Sequence, residues 1–255
     1  MPCLHTGIAV EPNSNEVKKL MPVLFFFCYG NLCAQSSLAL KDSLSVSADT
    51  AVSFYYKFTD QRSRLYNGKE YIGYLPMEGH AFFADPDLHR GSIEYDGLFF
   101  DSVIMQYDLV KDEVIIQHFD VFFKIVLISS KVKEFTFLNH HYRRMVKDSI
   151  NQLPVATGYY DFLHEGNITL IAKRTKRIDE MVTDKIIRKI VEKNFYYVIR
   201  DSVYYPIRTY RSLLSVFKDR SKEIRQDLRR NKLKFRKHRE EAIIRAVKFY
   251  DSSKK

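Results

Sequence analysis

Beyond residue 33 the chain has no cysteine; its three are Cys3, Cys28 and Cys33. A domain built from the remainder has neither disulfides nor thiolate metal ligands, so its stability rests on its core. There is no apolar run of the ~20 residues that a spanning helix needs. The longest, Leu20 to Tyr29, is about half that length and contains Pro22. Several enzyme signatures are missing as well: a Gly-rich phosphate loop, a G-x-S-x-G elbow, an H-E-x-x-H helix and a cysteine nucleophile. These absences leave the question of catalysis open but lean it toward a non-enzymatic protein with no cofactor.

The apolar run itself is informative. Lys18 and Lys19 precede it and Leu32-Cys33-Ala34-Gln35 follows it, which is the three-part pattern of a secretory signal peptide with cleavage after Ala34. A core strand or helix is the competing reading, weakened by the polar, Ser-rich stretch that comes next. Residues 1–16 do not fit the basic first region of a signal peptide and point to a start nearer Val17. Neither Cys28, after three phenylalanines, nor Cys33 has the small preceding residues of a lipidation site. The expectation is a cysteine-free mature chain, secreted to the periplasm or outer-membrane region and soluble once the signal peptide (residues 1–34) is removed.

Charge is divided unevenly. Residues 1–207 carry 24 Lys/Arg against 25 Asp/Glu, whereas residues 208–255 carry 17 against 6. The basicity therefore belongs to the last fifty or so residues and says nothing about the main domain.

The organisation expected is a linker at 35–50, a helix-plus-sheet domain at 51–207 and a basic helical hairpin at 208–255 packed on the sheet. Ala51, Phe54, Tyr55 and Phe58 follow Asp49 at the spacing of a short helix that ends near Asn67-Gly68. From Glu70 to about Thr175, short runs of Val, Ile, Phe and Tyr alternate with turn residues, the rhythm of an antiparallel meander. Asp96-Gly97 predicts a two-residue hairpin turn between Ser92–Tyr95 and Leu98–Tyr107. Further strands are expected at Glu113–Gln117, Phe122–Ile128 and Val132–Leu138, and another hairpin turns at His164–Asn167. Ile186, Ile187, Ile190 and Val191 predict a short helix over Asp184–Lys193. A last hairpin pairs the arm of Tyr197 and Ile199 with that of Val203, Tyr205 and Ile207, with Pro206 marking an edge strand. In the tail, Ser212 is the expected cap of a helix with an apolar stripe of Leu213, Leu214, Phe217, Ile224 and Leu228, stopping at Asn231; a second helix runs from Glu240 through Ile243, Val247 and Tyr250. The fold class expected is α+β: a curved antiparallel β-meander sheet with a short N-terminal helix and two basic C-terminal helices.

Three sets of residues are candidates for function. His80, Asp85, Asp87 and His89 are a weak metal or proton-transfer set, since imidazole and carboxylate could serve either role, although Asp-Pro-Asp is ordinary turn chemistry. His140 and His141 are adjacent on a strand and point to opposite faces, so they cannot easily share an ion. Phe99, Val103, Met105, Ile115 and Phe123 would line a concave sheet face able to take an apolar ligand. Arg225, Arg229, Arg230, Lys232, Lys234, Arg236 and Lys237 form a polyanion-binding set. Export argues against nucleic acid as their partner and favours envelope lipids, an anionic surface or envelope proteins. The tyrosine pairs 55–56, 159–160, 196–197 and 204–205 read as strand residues, each giving one buried and one half-exposed ring.

The segments "RLYNGKEYIGY", "GHAFF", "GSIEYDGLFFDSVIMQYDLVKDEV" and "FYYVIRDSVYYPIRTYRSLLSVFKDRSKEIRQDLRRNKLKFRKHREEAI" together resemble a family of exported proteins of Gram-negative bacteria. That resemblance implies export and the sheet-plus-helices fold; the family carries no assigned activity, so no catalytic residue follows from it. The leading expectation is a non-enzymatic cell-envelope protein, a scaffold or binding module. Its alternatives are a lipid or lipoprotein-carrier-like protein using the concave face and a metal-assisted hydrolase using the His80–His89 loop.

Overall fold

The computed structural model describes residues 63–120, 122–147, 154–182 and 185–252. The expected signal peptide, the expected linker and most of the expected N-terminal helix lie outside these residues; residues 63–65 are helical and Leu65 is buried. Among the described residues eleven strands form one open antiparallel sheet: β1 (Gly68–Glu70), β2 (His89–Tyr95), β3 (Leu98–Asp108), β4 (Glu113–Gln117), β5 (Lys124–Leu127), β6 (Val132–Phe137), β7 (His140–Met145), β8 (Gly158–His164), β9 (Thr169–Val182), β10 (Ile186–Arg200) and β11 (Val203–Ile207). Three helices follow, α1 (Tyr210–Val216), α2 (Ser221–Arg230) and α3 (Arg239–Ser252), with a 3₁₀ turn at Lys218–Arg220 between the first two.

The strand order, β1-β5-β4-β3-β2-β6-β7-β8-β9-β10-β11, corrects the simple meander. β6 returns past three strands to pair with β2 rather than with β5. The loop between β5 and β6 is residues 128–131, and Lys131 N–H donates to Ile128 O at 2.9 Å, making it a tight turn. In a flat sheet four strand spacings would hold β5 and β6 about 19 Å apart, whereas five Cα steps reach about 17 Å even when fully extended. The sheet must therefore curl. Tyr95 on β2 shows the result, donating its hydroxyl at 2.9 Å to Asn67 O beside the far-edge strand β1.

The curl is filled by aromatic rings. Tyr107, Phe135, Tyr142 and Tyr159 are all buried, with Phe135 and Tyr142 stacked at 4.8 Å and Tyr107 edge-on to Tyr159 at 5.9 Å. Tyr159 and Tyr160 are both fully buried, against the expectation of one ring inside and one half out. β8 is an interior strand with both faces covered, so Tyr159 enters the aromatic core while Tyr160 packs with Val155 and Ile171 on the other side.

The hairpin at Asp96-Gly97 forms as expected, with positive φ at both residues (52° and 76°), a conformation that glycine adopts without a Cβ clash. Where a helix was expected over Asp184–Lys193, Ile186 to Lys193 are strand; Asp184 lies outside the described residues. Ile186 to Ile199 pair without a break against Val182 to Thr169, and Arg188 meets Glu180 across the ladder at 2.6 Å. The i, i+1, i+4, i+5 spacing of its Ile and Val residues suits a helix face, but β-branched side chains with a partner strand waiting prefer the sheet. β11 is the edge strand that Pro206 predicted.

The helices pack on the β8–β11 end. Leu170, Ala172, Tyr196 and Val198 from the sheet meet Leu213, Phe217, Ile224, Leu228, Ile243, Val247 and Tyr250 in one buried cluster, which contains the whole stripe read from the sequence. The cap of α1 is Thr209 rather than Ser212. Ser212 N–H donates to Thr209 Oγ1 at 3.1 Å and Thr209 N–H to Ser212 Oγ at 3.0 Å, so Ser212 is the reciprocal partner three residues into a capping box. The 3₁₀ turn then interrupts what the sequence suggested was one helix. Asn231 ends α2 as expected, its N–H bonded to Asp227 O.

Candidate functional site

Of the four candidates in the His80–His89 loop, the structure brings the side chains of only His89 and Asp85 together. His89 Nε2 lies 2.7 Å from Asp85 Oδ1, and Asp87 contributes only its backbone N–H to the same carboxylate. His80 is directed elsewhere, its ring stacked on Phe82 and its carbonyl accepting from Lys176 Nζ at 3.1 Å. Burial, and after it the Lys176 charge, lowers the His80 pKa. Among the described residues no three His, Cys, Asp or Glu side chains converge as a metal site requires. His140 pairs with Asp161 and His141 with Glu134, on opposite faces of β7.

The five sheet residues also part company. Met105 sits opposite Ile116 in the aromatic core, but Ile115 pairs opposite Gln106 and so faces the other way. Val103 is half-buried, Phe99 is 70% exposed and Phe123 is 37% exposed. They do not gather in one cavity, because the curl on which a carrier would rely is closed by tyrosine and phenylalanine rings.

The basic set behaves differently. Arg225, Arg229, Arg230, Lys232, Lys234, Arg236 and Lys237 are all exposed. Lys234, Arg236 and Lys237 come from the loop between α2 and α3, which folds against the start of α1 to form a groove of about 820 Å³. Arg208 and Arg211 face them across it, with Tyr210, Leu233 and Phe235 supplying apolar lining. Tyr210 and Phe235 touch, ring centroids 5.7 Å apart. Local alternation explains the arrangement: in Lys232-Leu233-Lys234-Phe235-Arg236 the two apolar residues are half-buried and the three cations exposed.

Electrostatics favour an anion here. Among the described residues, none of the five groove cations pairs with a carboxylate, and the acids nearest in sequence are engaged elsewhere. Glu240 accepts from Arg174 at 2.8 and 3.0 Å and from the Tyr196 hydroxyl at 2.8 Å. Asp227 takes both arms of Arg245 at 2.7 Å, and Glu241 lies 3.4 Å from His238. Like charges crowded around one concavity with low-dielectric walls focus a positive potential that a bound anion relieves.

No family model, curated protein or solved structure matches the chain. The groove must therefore be interpreted from its own chemistry. Three guanidinium and two ammonium groups can grip carboxylate or phosphate oxygens, the former through two-pronged hydrogen bonds. Sequence reasoning found Lys234, Arg236 and Lys237 through charge density but missed Arg208, Arg211, Tyr210, Leu233 and Phe235. The alternation in "KLKFRK" was the available signal for Leu233 and Phe235; only the packing of the loop against α1 brings Arg208 to Arg211 across from it. Among the described residues no helix is long and apolar enough to cross a membrane.

Proposed function

We propose that this chain is a non-enzymatic, exported cell-envelope protein that binds an anionic polymer or surface through the groove between α1 and the α2–α3 loop. The observation that carries the reading is that Arg208, Arg211, Lys234, Arg236 and Lys237 surround one groove with no carboxylate partner among the described residues. Without a ligand the mutual repulsion of these charges opposes folding. Export rests on the signal-peptide pattern of residues 18–35.

The test is binding of poly-L-glutamate and of phospholipid vesicles, anionic against zwitterionic, measured across a salt series. Wild-type protein binds poly-L-glutamate or the anionic vesicles and weakens as salt screens the contact. Replacing Arg211, Arg236 and Lys237 together by alanine lowers that affinity more than about tenfold while leaving the circular dichroism spectrum unchanged, since exposed side chains contribute little to stability. Equal binding by wild type and variant overturns the assignment to this groove. Amino-terminal sequencing of the protein recovered from its host's envelope fraction checks export, with Gln35 the expected first residue.

A further inference from the structure

A second, smaller cavity of about 260 Å³ opens beside the basic groove, and Arg208 lines both. Its walls include Phe195, Tyr197, Tyr204 and Pro206 from the β10–β11 hairpin, and Arg239 stands at its basic end. Arg239 is held there by its own bonds. One arm donates to Ile207 O at 2.8 Å, and the guanidinium lies 5.2 Å from the Tyr196 ring centre and 6.0 Å from that of Phe235. Its Nε is buried and has no hydrogen-bond partner among the described residues.

We infer that the groove and this slot together take an acidic saccharide, with a sugar ring stacked against the tyrosines and its carboxylate or phosphate held by the arginines. The inference rests on the anion-binding function proposed above and specifies its ligand. The slot is smaller than the ~300–1,000 Å³ of sites for drug-sized molecules, a size suited to a single ring. Among the described residues the hydroxyls of Tyr197 and Tyr204 make no hydrogen bond to protein, so the walls offer aromatic rings that carry free polar groups. A pyranose matches that pattern, with C–H groups on its face and hydroxyls on its rim. An acyl chain would leave the hydroxyls unpaired and gain nothing from them. The shared Arg208 joins the two cavities, so successive sugars can place one ring in the slot and further charges along Arg211, Lys234, Arg236 and Lys237.

The experiment uses probes matched in charge but differing in the ring. Oligogalacturonate is compared with poly-L-glutamate, a phosphorylated mannan with inorganic polyphosphate, and maltohexaose and oligo(dT) serve as neutral-sugar and nucleic-acid controls. The expected result is that at least one acidic saccharide binds about tenfold tighter than its sugar-free counterpart, and that Tyr204→Ala abolishes this preference while Tyr204→Phe, which keeps the ring, retains most of it. Equal affinity for sugar and sugar-free polyanions, unchanged by Tyr204→Ala, overturns the saccharide inference and leaves the anion-binding function standing. A preference for oligo(dT) overturns it in favour of stacked bases. Failure of every polyanion, with no salt dependence, removes both.

Discussion

Arg174 on β9 and Glu240 at the start of α3 meet as a two-pronged pair, Nη1 to Oε2 at 2.8 Å and Nη2 to Oε1 at 3.0 Å. The same guanidinium donates through Nε to Asp161 Oδ2 at 2.7 Å, and His140 Nδ1 approaches that oxygen at 2.8 Å. Arg174 thus bridges a strand carboxylate that is wholly buried and a helix carboxylate that holds α3 on the sheet. The arrangement fixes where α3 begins, and with it the end of the loop that carries Lys234, Arg236 and Lys237.

Removing the bridge should be costly. Arg174→Met leaves the buried Asp161 carboxylate with only His140 beside it and strips Glu240 of its guanidinium, so the expected loss is about 3–5 kcal/mol, a large part of a typical domain's stability. Urea unfolding of the variant beside wild type measures it. A change under about 1 kcal/mol would mean that the bridge positions α3 without stabilising it.

Acid should weaken the same junction. Burial pushes the Glu240 carboxyl up, but the hydrogen bonds and charge of Arg174, with the Tyr196 hydroxyl, more than offset this and hold it below its ordinary value of 4.5. A depressed carboxylate contributes stability above its unfolded pKa, which is lost as pH falls through the lower folded value. Glu240→Gln should therefore cost stability at neutral pH, and the gap to wild type should narrow only below about pH 4.5 as wild-type Glu240 protonates. Unfolding midpoints for the pair, taken from about pH 7 to about pH 3, check the direction. A gap that stays constant over the range would assign the pair's contribution to shape rather than charge.

The parts of this architecture that were legible in the sequence are those fixed by local chemistry. Asp96-Gly97 makes its hairpin because two adjacent positive-φ residues admit few other structures. The stripe from Leu213 to Leu228 lies inside because a helix with one apolar face has only one way to bury it. The illegible parts depend on partners distant in the chain. β10 reads as a helix until β9 is beside it, and β6 reads as the neighbour of β5 until the curl brings it to β2. Half the groove was hidden for the same reason: Arg208 and Arg211 lie in an unremarkable stretch of sequence, more than twenty residues from the loop that they face.

Edge protection offers a further prediction. Pro206 keeps its place opposite Tyr197 in an unshifted β10–β11 register. A residue without an N–H does this only where that N–H would point away from β10, toward the open side of the edge strand. Proline there removes a donor that another chain's strand could use, a common defence of an exposed edge. Pro206→Thr restores the donor and adds a β-branched side chain favoured in strands. The variant should unfold within about 1 kcal/mol of wild type, yet self-associate with rising concentration, seen as a growing hydrodynamic radius by light scattering. Unchanged scattering would mean that β11 is guarded by its shortness and by the bulk of Tyr205 beside it, rather than by the missing hydrogen-bond donor.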